Sequence, residues 1–233
     1  RYLFGQSLGR VRERLTRLGR IFARSAPAPA SAATDPKRGG GRPRHATPRD
    51  RHRRAALAWD RKELATVGIP GPDLRTEEHT VPAPGFPDVR IRLYHPPGDH
   101  ADALPAALTF FGGAFRIGGI DYPTTDAACR RRAAAADLIV VAVDYALAPE
   151  HRYPTQVEQS YAALDWVVRN AERLGIDTAR LGIAGTSAGA AIAAAVTLMN
   201  RDRAWHPLRL QLLEVPVVDL TGAHIDVRAT WAL

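Results

Sequence analysis

With 233 residues, of which 45% are hydrophobic and 24% charged, the chain has the length of one large domain, or of one domain with an appendage, and the composition of a globular protein. Its single cysteine, Cys129, cannot form an internal disulfide, and neither a membrane-spanning apolar run of about 18 residues nor a secretory signal is recognisable, so we expect a cytoplasmic protein. The net charge of +8 is uneven: residues 1–54 hold fifteen Lys and Arg against three acidic residues, a balance of +12 that leaves −4 for the remainder.

The first 24 residues predict a basic amphipathic helix. Large apolar residues recur there at steps of three and four, and arginines occupy mostly the other faces. Such a helix packs on the body of its own protein, lies on an anionic membrane or directs the chain to an organelle, so the sequence leaves peripheral membrane contact through residues 1–24 open. The apolar positions are Phe4, Leu8, Val11, Leu15, Leu18 and Phe22.

Residues 25–54 are rich in Ala, Pro, Gly and Arg and nearly devoid of large apolar side chains. Such a segment cannot offset the entropy lost on ordering, so we predict a flexible linker. No aromatic residues interleave with its arginines to stack on bases, so nucleic acid is not an expected partner. The predicted organisation is a leader at 1–54, with amphipathic helix and linker, and a folded domain at 55–233.

The domain at 55–233 alternates between segments with strand and helix patterns. Short apolar runs predict strands, and segments with apolar residues every three or four positions predict helices. Their alternation implies right-handed βαβ crossovers, and therefore an α/β fold with a mostly parallel sheet. Strands are predicted at 77–82, 89–94, 106–111, 138–143, 181–185 and 208–217, and helices at 55–67, 123–136, 156–170 and 190–199.

Residues 185–189 read Gly-Thr-Ser-Ala-Gly and join the fifth predicted strand to an alanine-rich helix. We call this segment the serine turn. A G-x-S-x-G bend forces its central residue into a strained backbone conformation, which small neighbours permit. The Ser187 hydroxyl is then presented at the carboxyl edge of the sheet, near the N–H groups that begin the helix. The alternative is an ordinary helix start with small residues.

A second glycine-rich segment, residues 111–119, follows the third predicted strand, and we call it the glycine loop. Ligands of open α/β sheets bind at the carboxyl edge, so the two small-residue turns are expected to face each other across one pocket. A phosphate-binding loop is the alternative, but the segment lacks both the G-x-G-x-x-G spacing and the G-K-[ST] ending.

Four motifs occur in order: the third strand with residues 112–115 (GGAF) of the glycine loop, residues 144–154 (DYALAPEHRYP), the serine turn and residues 214–221 (EVPVVDLT). Together they resemble the α/β-hydrolase fold esterases of the hormone-sensitive-lipase group. The resemblance covers roughly residues 77–222. It implies an α/β-hydrolase fold, with a mostly parallel sheet flanked by helices and its last strands missing, and it makes residues 55–233 a partial α/β-hydrolase domain.

The resemblance implies a role for each matching residue. Ser187 corresponds to the nucleophile, and the N–H of Ala188 to one donor of the oxyanion hole. The backbone N–H groups of Gly112, Gly113 and Ala114, chiefly the last two, correspond to the other donors. No metal or organic cofactor is implied, and the expected partner is a small-molecule ester.

Three residues depart from the pattern of that group: Phe111 replaces its histidine, Ala114 its third glycine, and Thr186 the acidic residue that commonly precedes the serine. The oxyanion donors are backbone atoms and survive these changes, although the loop can be reoriented. The segment 144–154 is expected to be structural. His151 lies upstream of Ser187, whereas the fold places its acid and then its histidine downstream, so His151 is not expected to be the base.

The resemblance places the triad acid and histidine after the seventh and eighth strands, beyond Leu233, and neither His206 nor His224 is assigned to the triad. We therefore expect a fragment that is nearly inactive alone, with the sixth strand as an unprotected edge. The predicted function is hydrolysis of short- or medium-chain carboxylic esters through an acyl-enzyme. An amide or formamide hydrolase, a non-catalytic binding protein, and a membrane- or nucleic-acid-associated module led by residues 1–54 remain alternatives.

Overall fold

The computed structural model describes residues 47–217 and 219. The predictions for the amphipathic helix and for residues 25–46 of the linker lie outside the described residues. Of the helices described, none combines the length and the hydropathy needed to cross a bilayer. The elements are α1 (Pro48–Thr66), β1 (Thr76–Val81), β2 (Val89–Tyr94), β3 (Leu104–Phe110), α2 (Pro123–Ala136), β4 (Ile139–Asp144), α3 (Thr155–Arg169), α4 (Ala171–Leu174), β5 (Ile176–Thr186), α5 (Ala188–Arg203) and β6 (Leu208–Glu214).

The strands form one sheet in the order β1-β2-β4-β3-β5-β6. β1 pairs antiparallel with β2 and β2 with β4, whereas the β4–β3, β3–β5 and β5–β6 ladders are parallel. A short turn with Gly85 at φ +81° joins β1 to β2, and helices make the crossovers between the parallel strands. The mostly parallel α/β sheet predicted from the alternating pattern is confirmed.

The core lies on both faces of the central strands. Leu108 in β3, Val141 in β4 and Ile183 in β5 are paired in register and are at most 1% exposed. Full burial of such a side chain contributes about 1.5–3 kcal/mol, which is why these strands read as continuous apolar runs rather than alternating ones. Helices α3 and α5 pack against each other, and α1 packs against α2.

Helix α1 begins at Pro48 rather than near residue 55, so the prediction that a flexible linker extends to residue 54 is wrong for residues 48–54. Thr47 and Asp50 form a capping box: the Thr47 hydroxyl accepts from the Asp50 N–H, and the Asp50 carboxylate accepts from the Thr47 N–H at 2.9 Å. Proline at the first helical position fits the same start. These local bonds outweigh the linker-like composition.

Strand β6 ends at Glu214, three residues before the predicted end at 217, because Val215 has a left-handed φ of +45°. Among the described residues β6 pairs with β5 alone. Leu210 and Leu212 are 63% and 45% exposed. An edge strand with exposed apolar residues is a template for association, and the expectation that β6 is an unprotected edge stays a prediction.

Candidate active site

Ser187 occupies the junction between β5 and α5. Its backbone has φ 55° and ψ −116°, and its side chain makes no hydrogen bond that caps α5. A positive φ in a residue other than glycine costs on the order of 1–3 kcal/mol and persists only where the surroundings impose it. The serine is half-buried, whereas the next residue, Ala188, is 1% exposed. The sequence therefore produces the strained bend that the G-x-S-x-G pattern predicts.

The glycines of the serine turn are required by close packing. A Cβ on Gly185 would lie 2.2 Å from the carbonyl oxygen of Gly189, and a Cβ on Gly189 would lie 2.1 Å from the carbonyl oxygen of Phe110 in β3. Both distances are far below van der Waals contact. The start of α5 is thus pressed against the ends of β5 and β3, which fixes the position of Ser187 between them.

The glycine loop lies directly beside the serine turn. A Cβ on Gly112 would lie 3.0 Å from the carbonyl oxygen of Thr186 and 3.4 Å from the Cβ of Ser187. The structure thus brings the two turns together at the carboxyl edge of the parallel strands, the edge at which open α/β sheets bind their ligands.

The loop then folds back through a series of left-handed residues. Gly113 has φ +137°, and Ala114 and Phe115 have φ +51° and +60°. The carbonyl oxygen of Gly113 accepts from the N–H groups of Arg116 and Ile117 at 2.9 and 3.0 Å. In the part of the chain that the structure describes, the N–H groups of Gly113 and Ala114 donate no hydrogen bond. Two unpaired donors thus belong to a loop that contacts the serine turn.

Phe111, which replaces the histidine of the esterase group, packs against an aromatic ring. The ring of Phe111 stacks on that of Tyr145, with centroids 4.2 Å apart and an interplanar angle of 9°. The Tyr145 hydroxyl also donates to the Phe111 carbonyl oxygen at 2.7 Å. This pair fastens the start of the glycine loop to the segment 144–154, and Phe111 is only 8% exposed. The side chain here is a packing element rather than a polar one.

Helix α1 holds the glycine loop at Arg116, a contact that no local sequence pattern predicts. Arg53 donates from Nε to the Arg116 carbonyl oxygen at 2.9 Å and from Nη2 to the Ala148 carbonyl oxygen at 3.1 Å. The same Nη2 lies 2.8 Å from Glu150 Oε2, and the Ala148 N–H donates to the Phe115 carbonyl oxygen at 2.8 Å. One arginine therefore joins α1, the glycine loop and the segment 144–154.

Glu214 contacts the serine turn from the end of β6. Its carbonyl oxygen accepts from the Ser187 N–H at 2.8 Å, and its Oε2 accepts from the Thr186 hydroxyl at 2.5 Å. Arg132 Nη2 lies 3.0 Å from both carboxylate oxygens. The hydrogen bond from Thr186 and the charge of Arg132 lower the pKa of Glu214 below its ordinary value.

The described histidines downstream of the glycine loop, His151 and His206, contact residues other than Ser187. His206 Nε2 is 3.1 Å from Asp165 Oδ1, between α5 and α3. The His151 carbonyl oxygen accepts from Gln156 at 2.7 Å in the segment 144–154. His224 lies outside the described residues. Neither of the two described histidines is hydrogen-bonded to Ser187, and their exclusion from the triad stays a prediction.

A cavity of about 160 Å³ opens beside the glycine loop, between α2 and the ends of β3 and β4. Burial raises the pKa of the Cys129 thiol in its wall to about 12, so this sulfur stays protonated and is not a competing nucleophile. Within the described ranges, no group of three or more His, Cys, Asp or Glu residues is arranged to hold a metal ion. The lining residues include Thr109, Phe111, Gly112, Thr125, Cys129 and Arg132.

A family model of the alpha/beta hydrolase fold matches residues 107–231, which include the glycine loop and the serine turn. The chain belongs to the alpha/beta hydrolase family. Membership explains why the ends of β3 and β5 in this alpha/beta hydrolase carry the two small-residue turns, and it confirms the fold class expected from the sequence.

Relatives of this alpha/beta hydrolase carry the names of esterases and of a deacetylase. It is 46% identical over 145 residues to "Carboxylesterase NlhH" of Mycobacterium tuberculosis, an alignment that spans 62% of this chain and 44% of that protein. It is 35% identical over 137 residues to "Arylacetamide deacetylase" of Bos taurus, over 57% of this chain and 34% of that protein. The crystal structure of EstE1, a thermostable carboxylesterase cloned from a metagenomic library, superposes with a TM-score of 0.69 and 39% identity, over 76% of this chain and 58% of that one. The chain thus spans less than half the length of the first of these relatives.

Proposed function

We propose that this alpha/beta hydrolase is a serine hydrolase that cleaves carboxylic esters through an acyl-enzyme, with Ser187 as the nucleophile. The observation that carries the proposal is the strained Ser187 turn in contact with a loop whose Gly113 and Ala114 N–H groups are unpaired. The names of the esterase relatives support the same reaction class.

In this proposal, the Ser187 hydroxyl oxygen attacks the ester carbonyl carbon while a histidine outside the described residues takes its proton. The carbonyl oxygen becomes an oxyanion, which accepts hydrogen bonds from the N–H groups of Gly113, Ala114 and Ala188, with Gly112 supporting the loop. The C–O bond then breaks, and the alcohol leaves with the proton from the histidine. Water, deprotonated by the same histidine, attacks the acyl carbon and releases the acid and free Ser187.

The backbone amides are the main source of selectivity for the transition state. A fixed donor directed at the developing oxyanion contributes about 3–4 kcal/mol, because the charge is larger in the transition state than in the substrate. Replacing histidine by Phe111 and glycine by Ala114 leaves those N–H groups in place. The reaction therefore needs only the backbone of the glycine loop.

The acyl group is proposed to be short or medium in length. The cavity next to Gly112 has a volume of about 160 Å³, small beside the several hundred Å³ of pockets for larger ligands. We expect p-nitrophenyl acetate and butyrate to be hydrolysed with higher kcat/KM than the decanoate.

The test compares wild-type full-length native protein with Ser187→Ala and with Ser160→Ala, which removes a buried α3 hydroxyl that donates to the Gln156 carbonyl oxygen. We expect Ser187→Ala to lower ester hydrolysis by at least about 10³-fold and to abolish fluorophosphonate labelling, in which the serine oxygen displaces fluoride. Ser160→Ala should keep both. Equal labelling of Ser187→Ala and wild type would show that Ser187 is not the nucleophile and would contradict the proposal.

An amide or formamide hydrolase on the same scaffold is the second candidate, which the name of the arylacetamide deacetylase relative favours. Parallel assays with p-nitrophenyl acetate, an aryl acetamide and an aryl formamide separate the two, since the preferred bond gives the higher kcat/KM. A binding protein without catalysis would leave Ser187 unlabelled. Association of residues 1–54 with membranes or DNA would appear as co-sedimentation that weakens with salt.

A further inference from the structure

Glu214 is the residue of β6 that contacts the serine turn twice. In the β5–β6 ladder it is the partner of Thr186, the last residue of β5. Its carbonyl oxygen accepts from the Ser187 N–H, a bond that any residue at this position would make. The bond from the Thr186 hydroxyl to Oε2, at 2.5 Å, depends on the carboxylate and is specific to this side chain.

The carboxylate is oriented by α2. Arg132 Nη2 is 3.0 Å from both oxygens of Glu214, and it makes no other hydrogen bond among the described residues. Both side chains are 39% exposed, so solvent screens the ion pair and its contribution to global stability is small. The ion pair with Arg132 instead orients the Glu214 carboxylate toward the Thr186 hydroxyl.

The residue that this carboxylate contacts, Thr186, is one of the three that depart from the pattern of the esterase group. The esterase group that the chain resembles commonly has an acidic residue immediately before its serine, and here that position is Thr186. The Thr186 hydroxyl instead bonds to a carboxylate from the neighbouring strand. A negative charge is thus retained next to the serine turn, although it comes from β6 and not from β5.

We propose that Glu214 is a positioning residue for Ser187, and that its carboxylate replaces from β6 the acidic side chain that Thr186 lacks. The inference rests on the proposed function. Ser187 holds a φ of 55°, which relaxes unless its surroundings resist. Glu214 restrains both Thr186 and the Ser187 N–H, so that Ser187 stays in place beside the glycine loop.

This role predicts an effect on kcat rather than on KM. Loss of the carboxylate leaves the substrate pocket intact but lets the serine turn move, and small displacements of a nucleophile are costly in rate. The fluorophosphonate labelling rate falls in parallel, because the probe depends on the same hydroxyl. A purely structural role would instead lower the midpoint of thermal unfolding and leave kcat of the folded fraction unchanged.

The test uses full-length native protein with four variants: Glu214→Ala, Glu214→Gln, the double variant Thr186→Asp/Glu214→Ala, and the control Glu158→Ala. The control removes a carboxylate that is paired with Arg203 and accepts no hydrogen bond from the serine turn. Glu214→Gln keeps an acceptor for Thr186 while losing the charge, so it reports on the site even if Glu214→Ala folds poorly. Each is measured for kcat, KM, labelling rate and midpoint of thermal unfolding.

We expect Glu214→Ala to lower kcat and labelling rate by about tenfold with KM within about twofold, and Glu214→Gln to lower them less. Thr186→Asp in the Glu214→Ala background should restore kcat to within about threefold of wild type, because it returns a carboxylate to the turn. A wild-type kcat in Glu214→Ala, or no rescue by Thr186→Asp, overturns the inference while Ser187-dependent hydrolysis persists. Hydrolysis that persists in Ser187→Ala overturns the proposed function instead.

Discussion

Arg53 Nε donates a hydrogen bond to the carbonyl oxygen of Arg116, 2.9 Å away, and thereby fastens helix α1 to the glycine loop. The loop contains consecutive left-handed residues, Ala114 and Phe115, whose conformations need external support. The guanidinium provides that support through the Arg116 carbonyl oxygen, at the residue that follows Phe115. The helix thus acts on the site without contributing any atom to it.

We predict that Arg53→Met lowers kcat for p-nitrophenyl acetate by about tenfold, because the released loop no longer holds its N–H groups in place. KM should change less, since the cavity beside Gly112 is untouched. Arg54→Met is the matched control, because Arg54 lies on the same helix, is exposed and makes no hydrogen bond among the described residues. Equal kcat values for the two variants would contradict a role of the Arg53 clamp.

Because α5 approaches β3 closely at Gly189, even a methyl group at this position should lower the free energy of unfolding strongly. Gly189→Ala puts a methyl group 2.1 Å from the Phe110 carbonyl oxygen, so the helix must shift, and we expect a loss of about 3 kcal/mol in the free energy of unfolding. Gly182→Ala is the control, since its methyl group meets Leu210 and Ala107 at ordinary contact distances of 3.6 and 3.7 Å. Urea denaturation monitored by tryptophan fluorescence measures both.

Local patterns in the sequence predict the sheet and the two turns, because strand and helix periodicity and the G-x-S-x-G spacing are contained within a few residues. The Arg53–Arg116 bond and the Thr186–Glu214 bond join residues 63 and 28 positions apart, and they exist only once the fold fixes the register. The start of α1 was readable from the Thr47–Asp50 capping box, but the Arg- and Pro-rich composition around it favoured a linker.

Asp60 links α1 to the start of α2. Its Oδ2 accepts from the Thr124 N–H at 3.0 Å and its Oδ1 from the Thr124 hydroxyl, although the N-cap residue of α2, Tyr122, has no side-chain capping bond. The carboxylate therefore satisfies a first-turn donor of a neighbouring helix.

We predict that Asp60→Ala lowers the free energy of unfolding by about 1–2 kcal/mol, as for loss of a helix cap, with urea denaturation as the measurement. Glu63→Ala, on the same helix, should change it by less than about 0.5 kcal/mol, because no ion pair involves Glu63 among the described residues. If both variants unfold at the same urea concentration, Asp60 does not cap α2.

The ion pairs of Glu150 predict that the stability of the fold declines at low pH. Hydrogen bonds from Arg53, then the local backbone and Arg49, lower the pKa of Glu150 from 4.5 to about 2. The carboxylate thus contributes stability that is fully present above pH 4.5 and declines as the pH falls from 4.5 toward 2, where the folded state also takes up the proton.

We therefore expect the thermal unfolding midpoint of wild type to exceed that of Glu150→Gln by a constant margin between pH 7 and pH 5. The margin should shrink from pH 4.5 to pH 3, because protonation removes the same charge that the substitution removes. Salt should reduce the margin at neutral pH, since the Glu150 side chain is 40% exposed and its pairs are screened. A margin that grows as the pH falls would mean that Glu150 does not stabilise the fold through Arg53 and Arg49.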